Sequence, residues 1–117
     1  MTGIVLDAAA LVHAFTEPTS SALELRERLG GQAVHAPHLL IVEIGSVARR
    51  LVLNGKLSPR RGADLLAASI DAADHLYAHG PLSLLAWSLR DNLSFYDATY
   101  VALAQTLDLT LVTADAR

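Results

Sequence analysis

The sequence predicts one α/β domain whose parallel sheet carries helices on both faces. Two observations predict it. Four short apolar segments, each of strand length, alternate with longer stretches that carry helix start and stop signals. Strands that alternate with helices in this way assemble into a parallel sheet. The chain has 117 residues, 52% of them hydrophobic, which fits one domain with a proper core. It contains no internal repeat, linker or low-complexity tract.

Gly3 to Leu6 reads as a short buried strand, apolar and bounded by Gly and Asp. Ala8 to Phe15 reads as a short helix stopped by Glu17-Pro18. Thr19, Ser20 and Ser21 are N-cap candidates for a helix through Leu29, which Gly30-Gly31 closes. Ala33 to Ala36 is the second strand. Pro37 opens a long helix to about Leu53, where Asn54-Gly55 is the stop. Ser58-Pro59 starts the next helix, running to about Asp74, and His75 to His79 is the third strand. Gly80-Pro81 breaks the chain before a helix from about Leu82 to Leu89, and Asp91-Asn92 interrupts again. Ser94 heads a helix from Phe95 to about Leu107, with a small-residue face of Ala98, Val101, Ala102 and Ala104. Leu109 to Thr113 is the fourth strand, followed by Ala114-Asp115.

Composition narrows the function classes. No apolar run reaches the roughly 18 to 20 residues of a membrane span. Met1 to Ala14 lacks a basic n-region and holds Asp7 within its apolar stretch, so it is no signal peptide. There is no cysteine, which removes disulfides, thiolate metal sites and cysteine nucleophiles and makes a cytoplasmic setting the expectation. An apolar content this high suits a protein or self-partner. The net charge of −3 argues against simple electrostatic wrapping of nucleic acid, unless several acids hold divalent cations. Basic residues are nearly all Arg, with Arg49-Arg50 and Arg60-Arg61 as pairs and Lys56 alone. Arg suits bidentate phosphate contact, although a solvated helix face is the stronger reading of any one pair.

Chemistry is expected at the acids. In open parallel sheets ligands bind beyond the carboxyl ends of the strands. Asp7 follows the first strand and Asp115 the last, so both belong to one sheet edge. Asp97 lies in the first turn of its helix, and Glu43 lies among Leu39, Leu40, Ile41, Val42, Ile44 and Val47. Each acid has a structural reading too. Asp7 and Asp115 could be helix N-caps, Asp97 could close a capping box with Ser94, and Glu43 could share a polar stripe with Ser46 and Arg50. Carboxylates gathered without Lys or Arg repel one another, and a divalent cation removes that penalty. Mg²⁺ and Mn²⁺ prefer such all-oxygen sites and suit phosphodiester hydrolysis.

The histidines compete less well. His75 and His79 have HxxxH spacing, but Leu76 stands where HExxH needs Glu. On a strand those four residues span roughly 13 Å, too far for one ion, so a surface or strand-end role is expected. His13, His35 and His38 show no ligand spacing. No phosphate-cradling GxxxxGK[ST] loop, GxGxxG turn or GxSxG elbow is present.

Four stretches, in order, carry a family likeness: Ile4 to Val12 with Asp7, Ala36 to Glu43, Leu93 to Ala104 with Tyr96-Asp97-Ala98, and Leu111 to Asp115 with Thr113. Together they resemble the PIN-domain ribonucleases, in particular the VapC-type toxins of bacterial toxin–antitoxin pairs. The resemblance implies a single PIN-like domain over residues 1–117 with a three-layer α/β/α fold and a central parallel sheet. It also implies Mg²⁺- or Mn²⁺-dependent endonucleolytic cleavage of RNA, often structured RNA such as tRNA. Asp7, Glu43, Asp97 and Asp115 would be the catalytic and metal-binding acids, and Thr113 a polar group near substrate or water. A VapB-type antitoxin and a homodimer are the implied partners. Two departures stand out. Ala9 replaces a serine that is frequent in the family, which should tune activity without abolishing it. The family also continues past its Thr-x-Asp segment, so its C-terminal strand is expected to be missing here.

Two rival readings remain. A haloacid-dehalogenase-like phosphatase needs a second Asp where Ala9 stands, and it and a receiver-type domain need a Lys near the site, where Lys56 is poorly placed. A non-catalytic PIN-like module acting through protein binding would leave the intact acid set without a purpose.

Overall fold

Ile4, Val5 and Leu6 form β1 (Ile4–Leu6), a strand with no exposed residue. A run apolar on both faces suits the middle of a parallel sheet covered by helices on each side. The computed structural model, which describes residues 2–114, has that arrangement. After β1 come α1 (Ala8–Thr16), α2 (Ser20–Gly31), β2 (Val34–Pro37), α3 (Leu39–Leu53), α4 (Pro59–Ala72) and β3 (His75–Tyr77). A one-turn 3₁₀ helix (Gly80–Leu82), α5 (Ser83–Ser88), α6 (Phe95–Leu107) and β4 (Thr110–Val112) complete the order.

All pairings are parallel, in the order β3-β2-β1-β4. The chain steps from β1 through β2 to β3, then returns across the sheet to place β4 on the free side of β1. Right-handed crossovers put the connections of the outward path on one face and those of the return on the other. Helix packing agrees: α1 contacts α2, α3 and α4, whereas α6 contacts α5 and crosses β1, β2 and β4. The result is a three-layer α/β/α architecture. Ala98, Ala102 and Ala104, all buried, let α6 lie close against the sheet.

Sequence signals account for most boundaries. Thr19, Ser58 and Ser94 each cap a helix by accepting a backbone N–H with the side-chain oxygen. Asp108, in the left-handed region, closes α6. Two boundaries differ from expectation. Pro37 does not open α3 but ends β2, in register with Tyr77; lacking an N–H, it suits a strand end, and the next bond comes from His38 N–H to the Tyr77 carbonyl. The helix expected from Leu82 begins at Ser83, because Gly80-Pro81 winds a tight 3₁₀ turn through Leu82 before α5 begins.

Gly3 fixes where β1 enters the sheet. Its φ is +114°, and a Cβ there would stand 2.2 Å from the Ala33 carbonyl oxygen, which accepts from Ile4 N–H at 2.9 Å. Any side chain would collide with backbone in a conformation that only Gly adopts readily. Gly3→Ala is therefore expected to lower unfolding free energy by about 2 kcal/mol or more in urea titration. Gly30→Ala, with open space around it, should be neutral or mildly stabilising; equal losses at both positions would contradict this account.

Candidate active site

The return of the chain to the far side of β1 creates a switch point between β1 and β4, and such points form crevices at the carboxyl edge of the sheet. Asp7 N–H donates to the Val112 carbonyl at 3.3 Å, which draws the two strand ends together. A groove of about 430 Å³ opens there, lined by Asp7, Ala9, Asp97, Tyr100, Leu111 and Thr113 among others.

Asp7 serves the fold with one oxygen. Its Oδ1 accepts from Ala10 N–H at 2.9 Å and caps α1, so the helix-cap reading holds for that atom. Oδ2 has no hydrogen-bond partner among the described residues. Asp97 behaves differently from a capping-box acid. Ser94 Oγ accepts from Asp97 N–H at 3.1 Å, but the Asp97 carboxylate is exposed and makes no hydrogen bond among the described residues. Among the described residues neither Asp7 nor Asp97 is paired with Arg or Lys, and the one ion pair is Arg60–Asp64 on the surface of α4. Arg49-Arg50 and Arg60-Arg61 are exposed, and Arg50 lies in the last turn of α3, well beyond Glu43.

Glu43 lies on α3 and does not line the groove. It is half-buried, and its Oε1 accepts from the Tyr100 hydroxyl at 2.6 Å. Its hydrogen bond is thus to Tyr100 and not to Ser46 or Arg50 of its own helix. Tyr100, on α6, is 2% exposed yet reaches the groove. Burial, the hydrogen bond to Glu43 and the charges of Glu43 and Asp7 push its hydroxyl far above the ordinary phenol range, against an opposing backbone hydrogen bond from Ala8. It stays a neutral O–H donor.

Tyr100 lies within the Leu93 to Ala104 stretch, yet no role is expected of it from sequence. Two signals could have found it: Asp97 and Tyr100 are spaced i, i+3 on one helix face, and a buried Tyr in a small-residue helix must find a partner for its hydroxyl. His79, expected in a surface or strand-end role, is exposed just past β3. Its Nε2 accepts from Leu39 N–H at 2.8 Å and so caps the helix that carries Glu43. His75 stacks on His35 at 4.8 Å between ring centroids, and His35 is held by Tyr77 Oη at 2.7 Å and the Thr2 carbonyl at 3.0 Å. The HxxxH pair is therefore divided between sheet packing and a helix cap.

Asp115 lies outside the described residues. Among those described, no three Asp, Glu or His side chains stand close enough to hold one metal ion together. The structure thus joins Asp7 and Asp97 in one groove, links Glu43 to it through Tyr100, and brings Thr113 to its rim. This donor set still fits a hard divalent cation, since Mg²⁺ commonly takes one or two carboxylates and keeps water in its other positions. A neighbouring cleft of about 380 Å³, lined by His13, Ser21, Glu24, Arg28 and Thr113, adjoins the groove.

Comparison with known proteins bears on the fold and the family. The family model for the PIN domain matches residues 4–117. The chain belongs to the PIN-domain family. Within it, the chain groups with the VapC proteins: it is 44% identical over 114 residues to Ribonuclease VapC1 of Mycobacterium tuberculosis, spanning 97% of this chain and 86% of that one. Ribonuclease VapC9 of the same organism is 38% identical, with 97% and 87% covered. The crystal structure of PAE2754 from Pyrobaculum aerophilum superposes with a TM-score of 0.74 at 22% identity, covering 97% of this PIN domain and 74% of that chain. That of Mycobacterium tuberculosis VapC20, described as a Sarcin-Ricin loop cleaving toxin, gives 0.71 at 15%, covering 96% and 89%. These two likenesses concern the fold.

The two groove acids should differ in structural cost. Asp7→Ala removes a cap and is expected to lose about 1 kcal/mol of stability, and Asp7→Ser to retain most of it. Asp97→Asn gives up only a favourable charge in a first helical turn, about 0.5 kcal/mol. Urea unfolding of the three variants checks the order, and a larger loss in Asp97→Asn than in Asp7→Ala would contradict it.

Proposed function

We propose that this PIN-domain protein is a metal-dependent endoribonuclease and the toxin of a toxin–antitoxin pair. The observation that carries the reading is the pair of carboxylates, Asp7 and Asp97, that face one groove without a counter-cation among the described residues. Membership among the VapC ribonucleases supports the same activity. Structured cellular RNA such as tRNA is the substrate class we favour.

Asp7 and Asp97, with Asp115, would hold Mg²⁺ or Mn²⁺. When bound, such an ion supplies positive charge to the phosphate and leaving oxygens and acidifies a water for attack on phosphorus. The chain's own part is to orient and to tune. Asp7 is held by its cap to α1 and by the β1–β4 pairing, so its free oxygen has a fixed direction. Asp97 projects from a helix locked by Ser94. Glu43 supplies a further negative oxygen for a proton or a water, and Thr113 offers a hydroxyl at the rim for water or phosphate. Ala9 lines the groove where a family serine would add a hydroxyl, so the site works with one polar group fewer.

The same reading includes a VapB-type antitoxin that covers the groove, a homodimer and a cytoplasmic setting. Exposed Val42, Leu53, Leu84 and Trp87 provide apolar surface for such partners. Among the described residues no helix is long and apolar enough to cross a membrane.

Purified protein is expected to cleave RNA with Mg²⁺ or Mn²⁺ and to stop in EDTA. Asp97→Asn should lower the cleavage rate by about a hundredfold or more while the fold is kept. Full cleavage by Asp97→Asn, with contaminating nuclease excluded, would sink the assignment. A wild type inert on every RNA that nonetheless binds a helical partner tightly would instead favour the binding-module reading.

A further inference from the structure

We propose that Tyr100 is the positioning residue that couples Glu43 to the Asp7–Asp97 groove, so that Glu43 serves the reaction only in the orientation this phenol dictates. The proposal rests on the carboxylate-groove reading and deepens it. Glu43 is the one described acid of the set that does not line the groove, whereas Tyr100 lines it beside Asp7 and Asp97. The Tyr100 hydroxyl donates to Glu43 Oε1 at 2.6 Å, within the range of charge-assisted O–H···O⁻ bonds. This is a bond between helices from opposite faces of the sheet: Glu43 is on α3 and Tyr100 on α6.

Two consequences follow from the geometry. The bond occupies Oε1, and Glu43 Oε2 has no partner among the described residues, so Glu43 offers one directed oxygen and not a freely rotating pair. The Tyr100 ring is buried within the core cluster of alanines and leucines. It therefore has little freedom of its own, and a rigid donor fixes a flexible acceptor. A Phe would keep the packing of α6 and lose the hydroxyl's bond to Glu43.

The test compares Tyr100→Phe, Glu43→Ala and the double variant in the full chain, by Mn²⁺ titration calorimetry and by RNA cleavage kinetics. Tyr100→Phe is expected to weaken Mn²⁺ binding about tenfold and to lower kcat about 10- to 100-fold, the usual effect of losing a group that orients a metal-site residue. KM for RNA should change less than about twofold, since ground-state RNA binding does not need the phenol. Adding Tyr100→Phe to Glu43→Ala should change neither quantity further, because a residue that acts through another loses its effect with that partner. Wild-type Mn²⁺ affinity and kcat in Tyr100→Phe would overturn the proposal, as would losses that multiply in the double variant, which would mark a packing role. Asp97→Asn is measured alongside. If it binds Mn²⁺ and cleaves normally, the groove reading itself fails; if it is inactive while Tyr100→Phe is normal, only the Tyr100 proposal fails. Should Tyr100→Phe not fold, the NMR signal of the Tyr100 hydroxyl proton decides: it must shift on adding Mg²⁺ and vanish in Glu43→Ala, and a signal unchanged in both overturns the proposal.

Discussion

The parallel pairing of β1 between β2 and β4 is the constraint on which the site depends. Leu6 pairs with Val112 and Val5 with His35, so β1 is enclosed and its carboxyl end opens where the two crossover paths diverge. Asp7 is the first residue past that end. With Gly3 admitting the chain against Ala33 and Asp7 N–H fastened to Val112, the strand has one register available. A slip by one residue would carry Asp7 away from the groove and turn Ile4, Val5 and Leu6 to the wrong faces.

Around that end the protein accepts an electrostatic cost. Two carboxylates face one groove and a third, Glu43, stands behind Tyr100, with no ion pair among the described residues to relieve them. The compensation is dipolar: Asp7 accepts from the first turn of α1, Asp97 sits in the first turn of α6, and Glu43 accepts from a phenol. Positive helix N-termini and a neutral donor lower the repulsion without neutralising it. A site left net negative in this way is suited to a divalent cation, and through it to a phosphodiester that would otherwise be repelled.

Much of this was legible in the sequence. The parallel α/β architecture followed from apolar segments alternating with capped helices, and the caps at Thr19, Ser58 and Ser94 stand where they were read. Asp7 was legible because a strand end and an N-cap are both local features. Glu43 was legible only as an anomaly in an apolar helix. Its partner, 57 residues away on the opposite face, follows from the crossover path, which local pattern does not encode. The same holds for His79, whose role as the cap of α3 needs β3 to lie beside β2. Pro37 was misjudged for a local reason: its missing N–H fits either a helix start or a strand end, and the pairing with Tyr77 decides between them.

The most direct measurement of the central claim is the site of paramagnetic broadening when substoichiometric Mn²⁺ is added to isotope-labelled protein. Amide signals of Ala8 to Ala10 and of Asp97 to Val101 should broaden first, together with Thr113. Selective loss of signals at the α3–α4 end around Arg49 to Arg61, or uniform weak broadening with no preferred site, would contradict a cation site held by Asp7 and Asp97.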